Sequence, residues 1–317
     1  MKLSIVSTLY RSAEYVAEFH RRASESARRL VGDDYEIVFV NDGSPDDSLD
    51  RAVALSDADP RVVVVDLSRN FGHHKAMMTG LKHARGEHVF LLDSDLEEEP
   101  EWLLPFERAL VDKKSDVIFG VQINRKGGWF ERWSGSLFYK VMPILSGVDM
   151  PRDMVTARLM TRRYVDALLL HEEREIDIGG LWAITGFAQH AVPVTKHSTS
   201  ETTYTVGRKL SLLVNSVTAF SNAPLVGIFW IGLAMFAVAF LVMATIVVQW
   251  WWLEAPVSGW ASVIVSVWLL GSLIICFIGV LGIYISKMFS EVKRRPYSIV
   301  RAVHGRRPDT PAPSHGS

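Results

Sequence analysis

Short apolar runs rich in β-branched residues recur along the first part of the chain, at Leu3–Ser7, Glu36–Val40, Val62–Leu67, Val89–Leu92 and Val117–Val121, with helix-forming stretches between them. Runs that stay apolar at successive positions suit strands covered on both faces, so the pattern predicts an α/β domain on a mostly parallel sheet. After the second run, Asp42-Gly43-Ser44-Pro45-Asp46-Asp47 predicts a turn and then a helix, with Ser44 as N-cap, Pro45 in the first helical position and Asp47 behind the cap. Beyond Pro224 the pattern changes. Leu225–Leu253 and Ala255–Ser286 contain no charged residue, and each exceeds the roughly 20 residues a helix needs to cross a bilayer. A soluble core helix keeps a polar stripe, which these runs lack, so two transmembrane helices are expected. Glu254, Pro256 and Gly259 mark a turn between them, flanked by Trp250, Trp251, Trp252 and Trp260, aromatic residues of the kind that gather at membrane interfaces.

Charge adds orientation to this picture. Lys287, Lys293, Arg294, Arg295, Arg301, Arg306 and Arg307 face only Glu291 and Asp309 after the second apolar run, and Arg208 and Lys209 precede the first. The positive-inside bias then places the strand-rich part and both chain ends in the cytoplasm. The expected organisation is a cytoplasmic domain over residues 1–206, an amphipathic juxtamembrane segment over 207–223, a transmembrane hairpin over 224–286 and a basic tail over 287–317 that ends in disorder. No charged-then-apolar leader precedes Leu3–Ser7, so no cleaved signal is expected. The 317 residues suffice for one large domain or two modest ones, and a formal net charge of −1 argues against a general nucleic-acid binder. Cys276 is the single cysteine, which excludes an intrachain disulfide and a cysteine-rich metal cluster.

Candidate chemistry lies where the apolar runs stop. Asp93 and Asp95, separated by Ser94, fall just past Val89–Leu92, and open α/β sheets take their ligands outside the carboxyl ends of the strands. Two hard oxygen donors there suit Mg²⁺ or Mn²⁺ carrying a diphosphate. Asp42 ends the second run and Arg69 follows the third, so an acid, a guanidinium and an acid pair are expected at one crevice, which points to a nucleotide diphosphate. The first run is followed by Ser7-Thr8-Leu9-Tyr10-Arg11 rather than a glycine-rich turn, and no Walker loop occurs. That weakens an oxidoreductase or nucleoside triphosphatase and leaves metal-assisted group transfer from a nucleotide-activated donor.

The segments SIVSTLY, VNDGSPDDS, LSRNFGHHKAMMTGLKHARGEHVFLLDSDLEEEPEW, FGVQINRKGGWFERWSGSLFYKVM, TARLMTRRYVDAL, ITGF and TAFSNAPL together resemble the family 2 glycosyltransferases of GT-A fold, in the polyprenol-phosphate branch. The resemblance implies transfer of a sugar, with inversion, from a nucleotide diphosphate sugar to a polyprenyl phosphate at the cytoplasmic membrane face. It implies that Thr8, Tyr10 and Asp42 line the nucleoside pocket, that Arg69 helps hold the donor, that Asp93 lies at the donor sugar, and that Asp95 binds the metal with Glu97. Glu97 stands where the family often has glutamine, and a carboxylate binds a hard cation at least as well. Glu98 and Glu99 are expected to form an acidic helix start before Pro100. For the acceptor phosphate the resemblance implies Arg125, Arg132 and Ser136, with Lys126 nearby; Arg132 and Ser136 share a helix face at four-residue spacing.

The chain departs from this pattern in three places. Thr156 occupies the position of a carboxylate sometimes assigned as the base, leaving Arg158 as the catalytic residue of that motif; Gln122 stands where relatives often carry arginine, and Arg11 where they carry asparagine. A lipid phosphate is already anionic at neutral pH and needs no base, which favours it over a sugar hydroxyl as acceptor. Another lipid or polysaccharide acceptor, and an inactive membrane scaffold of the same fold, stay open as alternatives. Gly282-x-x-x-Ser286 permits close helix contact and with it a homo-oligomer.

Overall fold

A computed structural model of the chain describes residues 1–123, 153–174, 176–196, 223–253 and 259–305. Two compact units emerge, one from residues 1–135, 150–204 and 295–317, the other from residues 136–149 and 205–294. In the first unit, β1 (Leu3–Leu9), β2 (Tyr35–Asn41), β3 (Val62–Leu67), β4 (His88–Leu91), β5 (Val117–Gln122), β6 (Met154–Thr161), β7 (Gln189–Val194) and β8 (Val300–His304) form one sheet in the order β7-β5-β6-β4-β1-β2-β3-β8. β1 pairs in parallel with β2 and β4, β2 with β3, and β5 with β7. β6 runs antiparallel between β4 and β5, and β8 antiparallel along β3. The sheet is thus mostly parallel, as the unbroken apolar runs predict, and β1 and β2 are buried at every position.

Helices cover both faces. On one, α1 (Val16–Val31), α2 (Ser48–Ala58) and α4 (Leu103–Asp112) bury Phe19, Ala52 and Phe106 against Leu3, Ile5, Phe39, Val64, Phe90 and Leu159. On the other lies α3 (His73–His83), where Gly80 lets the helix sit close to the strands: a Cβ there would stand 2.5 Å from Val6 Cγ1 and 2.9 Å from Val40 Cγ2. Two short helices, α5 (Arg162–Leu168) and α6 (Ile178–Ile184), follow β6.

Three expectations change. The second helix starts at Ser48, not at Pro45, with Asp47 as a residue at its entry that makes no side-chain cap. Asp46 explains the shift, since it accepts the N–H of Ser48 at 3.2 Å, the hydroxyls of Ser44 and Ser48 at 2.5 Å each, and the N–H of Ala13 at 3.1 Å. Ser44-Pro45 is therefore spent on a turn that binds the loop after β1, and those bonds hold the Asp46 carboxyl down at about 2 although burial works the other way. Second, part of the expected basic tail is ordered: residues 300–304 form β8, anchored by Arg301, which donates to the Ser68 carbonyl at 2.8 Å and lies 3.5 Å from the buried Asp66 carboxylate. Third, the second unit holds α7 (Ala223–Leu253) and α8 (Trp260–Val292), but among the described residues one stretch, Ser266–Val292 of α8, is long and apolar enough to cross a membrane, with mean hydropathy 2.4. Within α7 a shorter apolar stretch covers Pro224–Met235. The expected acceptor residues Arg125, Lys126, Arg132 and Ser136, most of the juxtamembrane segment and the 254–258 turn lie outside the described residues.

Candidate active site

Because β1, β2, β3 and β4 run the same way, the residues that follow them share one edge of the sheet, where ligands of such sheets bind. Asp93, Ser94 and Asp95 follow β4. Ser94 is buried and donates to the Thr8 carbonyl at 2.9 Å and to Ser12 Oγ at 3.0 Å, tying the triplet to the end of β1. Leu96 then turns the chain with φ of 59°, a conformation that costs a branched residue about 1 kcal/mol or more; its packing on the core compensates. This turn lets the Glu97 N–H donate to Asp95 Oδ1 at 3.0 Å, bringing the two carboxylates close together.

Asp93 faces α3. His73 Nε2 stands 3.2 Å from Asp93 Oδ1, out of line for a hydrogen bond, while its Nδ1 meets Thr8 Oγ1 at 3.0 Å. Burial works against protonation of His73, but Asp93, with Asp42 and Glu98 behind it, raises its pKa above the ordinary value. The Asp93 carboxyl is held low by His73 and Lys196 against its own burial. Asp95 moves the other way, raised by burial and by the neighbouring charges of Asp93 and Glu97. The two adjacent carboxyls are thus shifted in opposite directions.

The expected residues divide into those at this edge and those turned to their own chain. Thr8 and Tyr10 end β1, Thr8 buried and Tyr10 exposed. Asp42 is buried, yet both oxygens are occupied by the backbone: Oδ1 accepts the Phe71 N–H at 2.7 Å and Oδ2 the Gly72 N–H at 3.0 Å. It shapes the loop after β3 rather than offering a free carboxylate. Arg69 lies in that loop, exposed, with its guanidinium 4.2 Å from the Phe71 ring and donating to the Asn70 carbonyl at 3.0 Å. Arg158 on β6 is fully buried; Nε donates to the Thr156 carbonyl at 3.2 Å, the guanidinium lies over the Trp182 ring, and its two terminal nitrogens have no partner among the described residues. Burial lowers its pKa to about 9.

Three groups at the site had gone unread. Glu98, expected in an exposed acidic helix start, is wholly buried and accepts the Thr156 N–H at 3.0 Å, reaching the strand position where the family's carboxylate is missing. Its carboxyl is pushed up to about 8, first by burial and then by Asp93. Lys196, just past β7, lies 3.2 Å from Glu97 Oε2. His73 opens α3. Its one sequence signal is the His-His pair after Asn70-Phe71-Gly72 at a strand-to-helix turn; Lys196 has none beyond following an apolar run.

Asp95 and Glu97 remain the residues able to hold a divalent cation. Among the described residues no three metal-ligating side chains converge, but magnesium is commonly held by one or two carboxylates, water and substrate phosphates.

A profile of the family described as Glycosyl transferase family 2 matches residues 4–169, a span that takes in the residues placed at the ends of β1 to β4 and Arg158. The chain belongs to this family. As a family 2 glycosyltransferase it has close relatives along its whole length. A Mycobacterium tuberculosis protein named as a glycosyltransferase is 49% identical, covering 99% of this chain and 92% of its own. The prophage-derived bactoprenol glucosyl transferase of Shigella flexneri is 31% identical, covering 96% of this chain and 99% of its own. Among solved structures, residues 1–349 of S. aureus TarS with UDP-GlcNAc align at 17% identity with a TM-score of 0.45, covering 69% of this glycosyltransferase and 66% of that chain.

Proposed function

We propose that this glycosyltransferase moves a sugar, with inversion, from a nucleotide diphosphate sugar to a polyprenyl phosphate at the cytoplasmic face of a membrane. The carrying observation is the Asp93-Ser94-Asp95 edge beside Thr8 and His73 in a chain aligned almost end to end with a bactoprenol glucosyl transferase. An acceptor phosphate oxygen attacks the anomeric carbon, the bond from that carbon to the diphosphate breaks, and the nucleotide diphosphate leaves with the electron pair. Mg²⁺ or Mn²⁺ held by Asp95 and Glu97 supplies Lewis-acid stabilisation of that leaving group. Asp93, oriented by His73, lies at the donor sugar. Asp42 holds the Phe71-Gly72 backbone in the shape that receives the nucleoside beside Thr8 and Tyr10, and Arg69 pairs with the donor. Arg158, whose terminal nitrogens have no partner among the described residues, contributes positive potential beneath the reacting groups. Arg125, Arg132 and Ser136 bind the acceptor phosphate. No base is required of Thr156, because the acceptor is already an anion.

Sheet connectivity supports a two-span membrane hairpin. β8 belongs to the same sheet as β1 to β7, so a chain that leaves this unit for a membrane must return to the side it left. An odd number of crossings cannot satisfy that. If α8 spans, an even number of crossings favours a spanning α7 (31 residues), and Arg208, Lys209 and the basic residues from Lys293 to Arg295 favour the sheet on the cytoplasmic side.

Incubating the purified protein with a panel of nucleotide sugars and a polyprenyl phosphate, then weighing the lipid product, tests donor and acceptor together. The expected result is a lipid heavier by one sugar, formed only with Mg²⁺ or Mn²⁺ and lost in Asp95→Asn. Full turnover in excess chelator refutes the metal assignment, and sugar transfer only to an uncharged acceptor refutes the acceptor.

A further inference from the structure

Four carboxyl groups follow β4 in one short stretch, at Asp93, Asp95, Glu97 and Glu98. One ammonium stands among them. Lys196 emerges two residues past β7, whose parallel pairing with β5 brings its carboxyl end to the same edge of the sheet, and its Nζ lies 3.2 Å from Glu97 Oε2 and 3.9 Å from Glu98 Oε1. The group is shielded from water, with 24% of the Lys196 side chain exposed, 12% of Glu97 and none of Glu98. Its field also reaches Asp93 and Asp95, favouring the ionised form of each.

Building on the reading of Asp95 and Glu97 as cation ligands, we infer that Lys196 is the resident counter-ion of this cluster, seated on Glu97 until a divalent cation displaces it. Magnesium bonds carboxylate oxygen at about 2.0–2.1 Å, and an ammonium 3.2 Å from Glu97 Oε2 would then face a dication a few ångströms away in a shielded setting, where repulsion is strong. Both cannot hold Glu97. Lysine suits the exchange, because its charge is a compact point on a flexible stem that can carry the ammonium away from Glu97. Without Lys196, Glu97 would lose the cation that lies 3.2 Å from its Oε2. With it, metal affinity is set below what the two carboxylates alone would give, and the negative charge of an incoming diphosphate tips the balance toward the metal. Metal and donor therefore load together.

The test is Mn²⁺ binding to the full-length protein in detergent, read as free Mn²⁺ by electron paramagnetic resonance with no nucleotide present. Lys196→Met should bind Mn²⁺ about tenfold more tightly than the wild type, since a repelling unit charge at contact range is gone. Lys196→Arg, which keeps the charge, should stay near the wild type, and thermal melting confirms that each variant is folded. A second readout needs no variant: Mn²⁺ should raise the rate at which an amine-directed reagent labels Lys196, followed by peptide mass. Equal or weaker Mn²⁺ binding by Lys196→Met, or labelling that Mn²⁺ leaves unchanged, overturns the exchange. Failure of the underlying reading looks different, because Glu97→Gln would then bind Mn²⁺ as the wild type does, with the ion seated elsewhere.

Discussion

Replacing Glu98 by glutamine isolates the buried acid beneath the site. The wild-type carboxyl is wholly buried and its pKa stands at about 8 against an ordinary 4.5, raised by burial first and by Asp93 second. A folded-state pKa above the unfolded one means that the folded protein holds the extra proton between those values. Stability from this group is therefore complete below pH 4.5 and drains away as pH rises toward about 8. Each pH unit inside that window is worth about 1.4 kcal/mol, so the whole window amounts to on the order of 5 kcal/mol. Glutamine keeps the carbonyl that accepts the Thr156 N–H at 3.0 Å and never ionises. Glu98→Gln should accordingly melt close to the wild type at about pH 5 and above it at about pH 8.5, by on the order of 10 °C at roughly 2–4 °C per kcal/mol. His73, raised as well, gives both proteins the same downward trend, so the gap between them is the quantity to read. Differential scanning fluorimetry in detergent across pH 5–9 measures it. A gap that stays flat or narrows as pH rises would falsify the account of Glu98 as a protonated buried acid.

Gly43→Ala should lower stability by on the order of 2–3 kcal/mol in a melt, because φ is +60° there and the new Cβ would stand 2.4 Å from Asn70 N. Asp42→Ala removes the acceptors of the Phe71 and Gly72 N–H groups and should both cost on the order of 2 kcal/mol and weaken nucleotide binding by calorimetry; a variant that binds nucleotide normally refutes its role in shaping the donor loop. Arg132→Ala should weaken the apparent affinity for polyprenyl phosphate by roughly tenfold to a hundredfold and leave nucleotide binding alone, as read from paired titrations. The reverse pattern assigns Arg132 to the donor.

The parallel strands and the edge they share were legible because that information is local. An apolar run that does not alternate states that it is covered on both faces, and a polar residue where the run stops states which end faces solvent. Asp42, Arg69, Asp93 and Asp95 were found on that basis, and all four stand where β2, β3 and β4 end. What the side chains do once there was less legible. Asp42 reads as a free carboxylate because its partners, the Phe71 and Gly72 N–H groups, belong to another strand end. Glu98 reads as a solvated helix start because Glu97, Glu98 and Glu99 look alike in sequence, and only the arrival of β6 buries the middle one. The helix expected at Ser44-Pro45 moved to Ser48 for a similar reason: Asp46 bonds to Ala13 on a neighbouring loop. β6, β7 and β8 escaped notice because polar residues interrupt each of them, Thr156 and Arg158 in β6, Gln189 and His190 in β7, Arg301 and His304 in β8, and Lys196 escaped with them.

β8 also fixes an order of events. Ribosomes deliver the chain from its amino end, so β1 to β7 emerge before α7 and α8, and the strand that flanks β3 emerges after both. Until then β3 presents an unpaired row of N–H and C=O groups, the kind of edge that recruits other chains into aggregates. The sheet can close only once both helices have been made, so its outer edge beside β3 is completed last. A shortened protein that stops at residue 204 would omit β8 and keep that edge bare, and should collect in aggregates where the full chain does not.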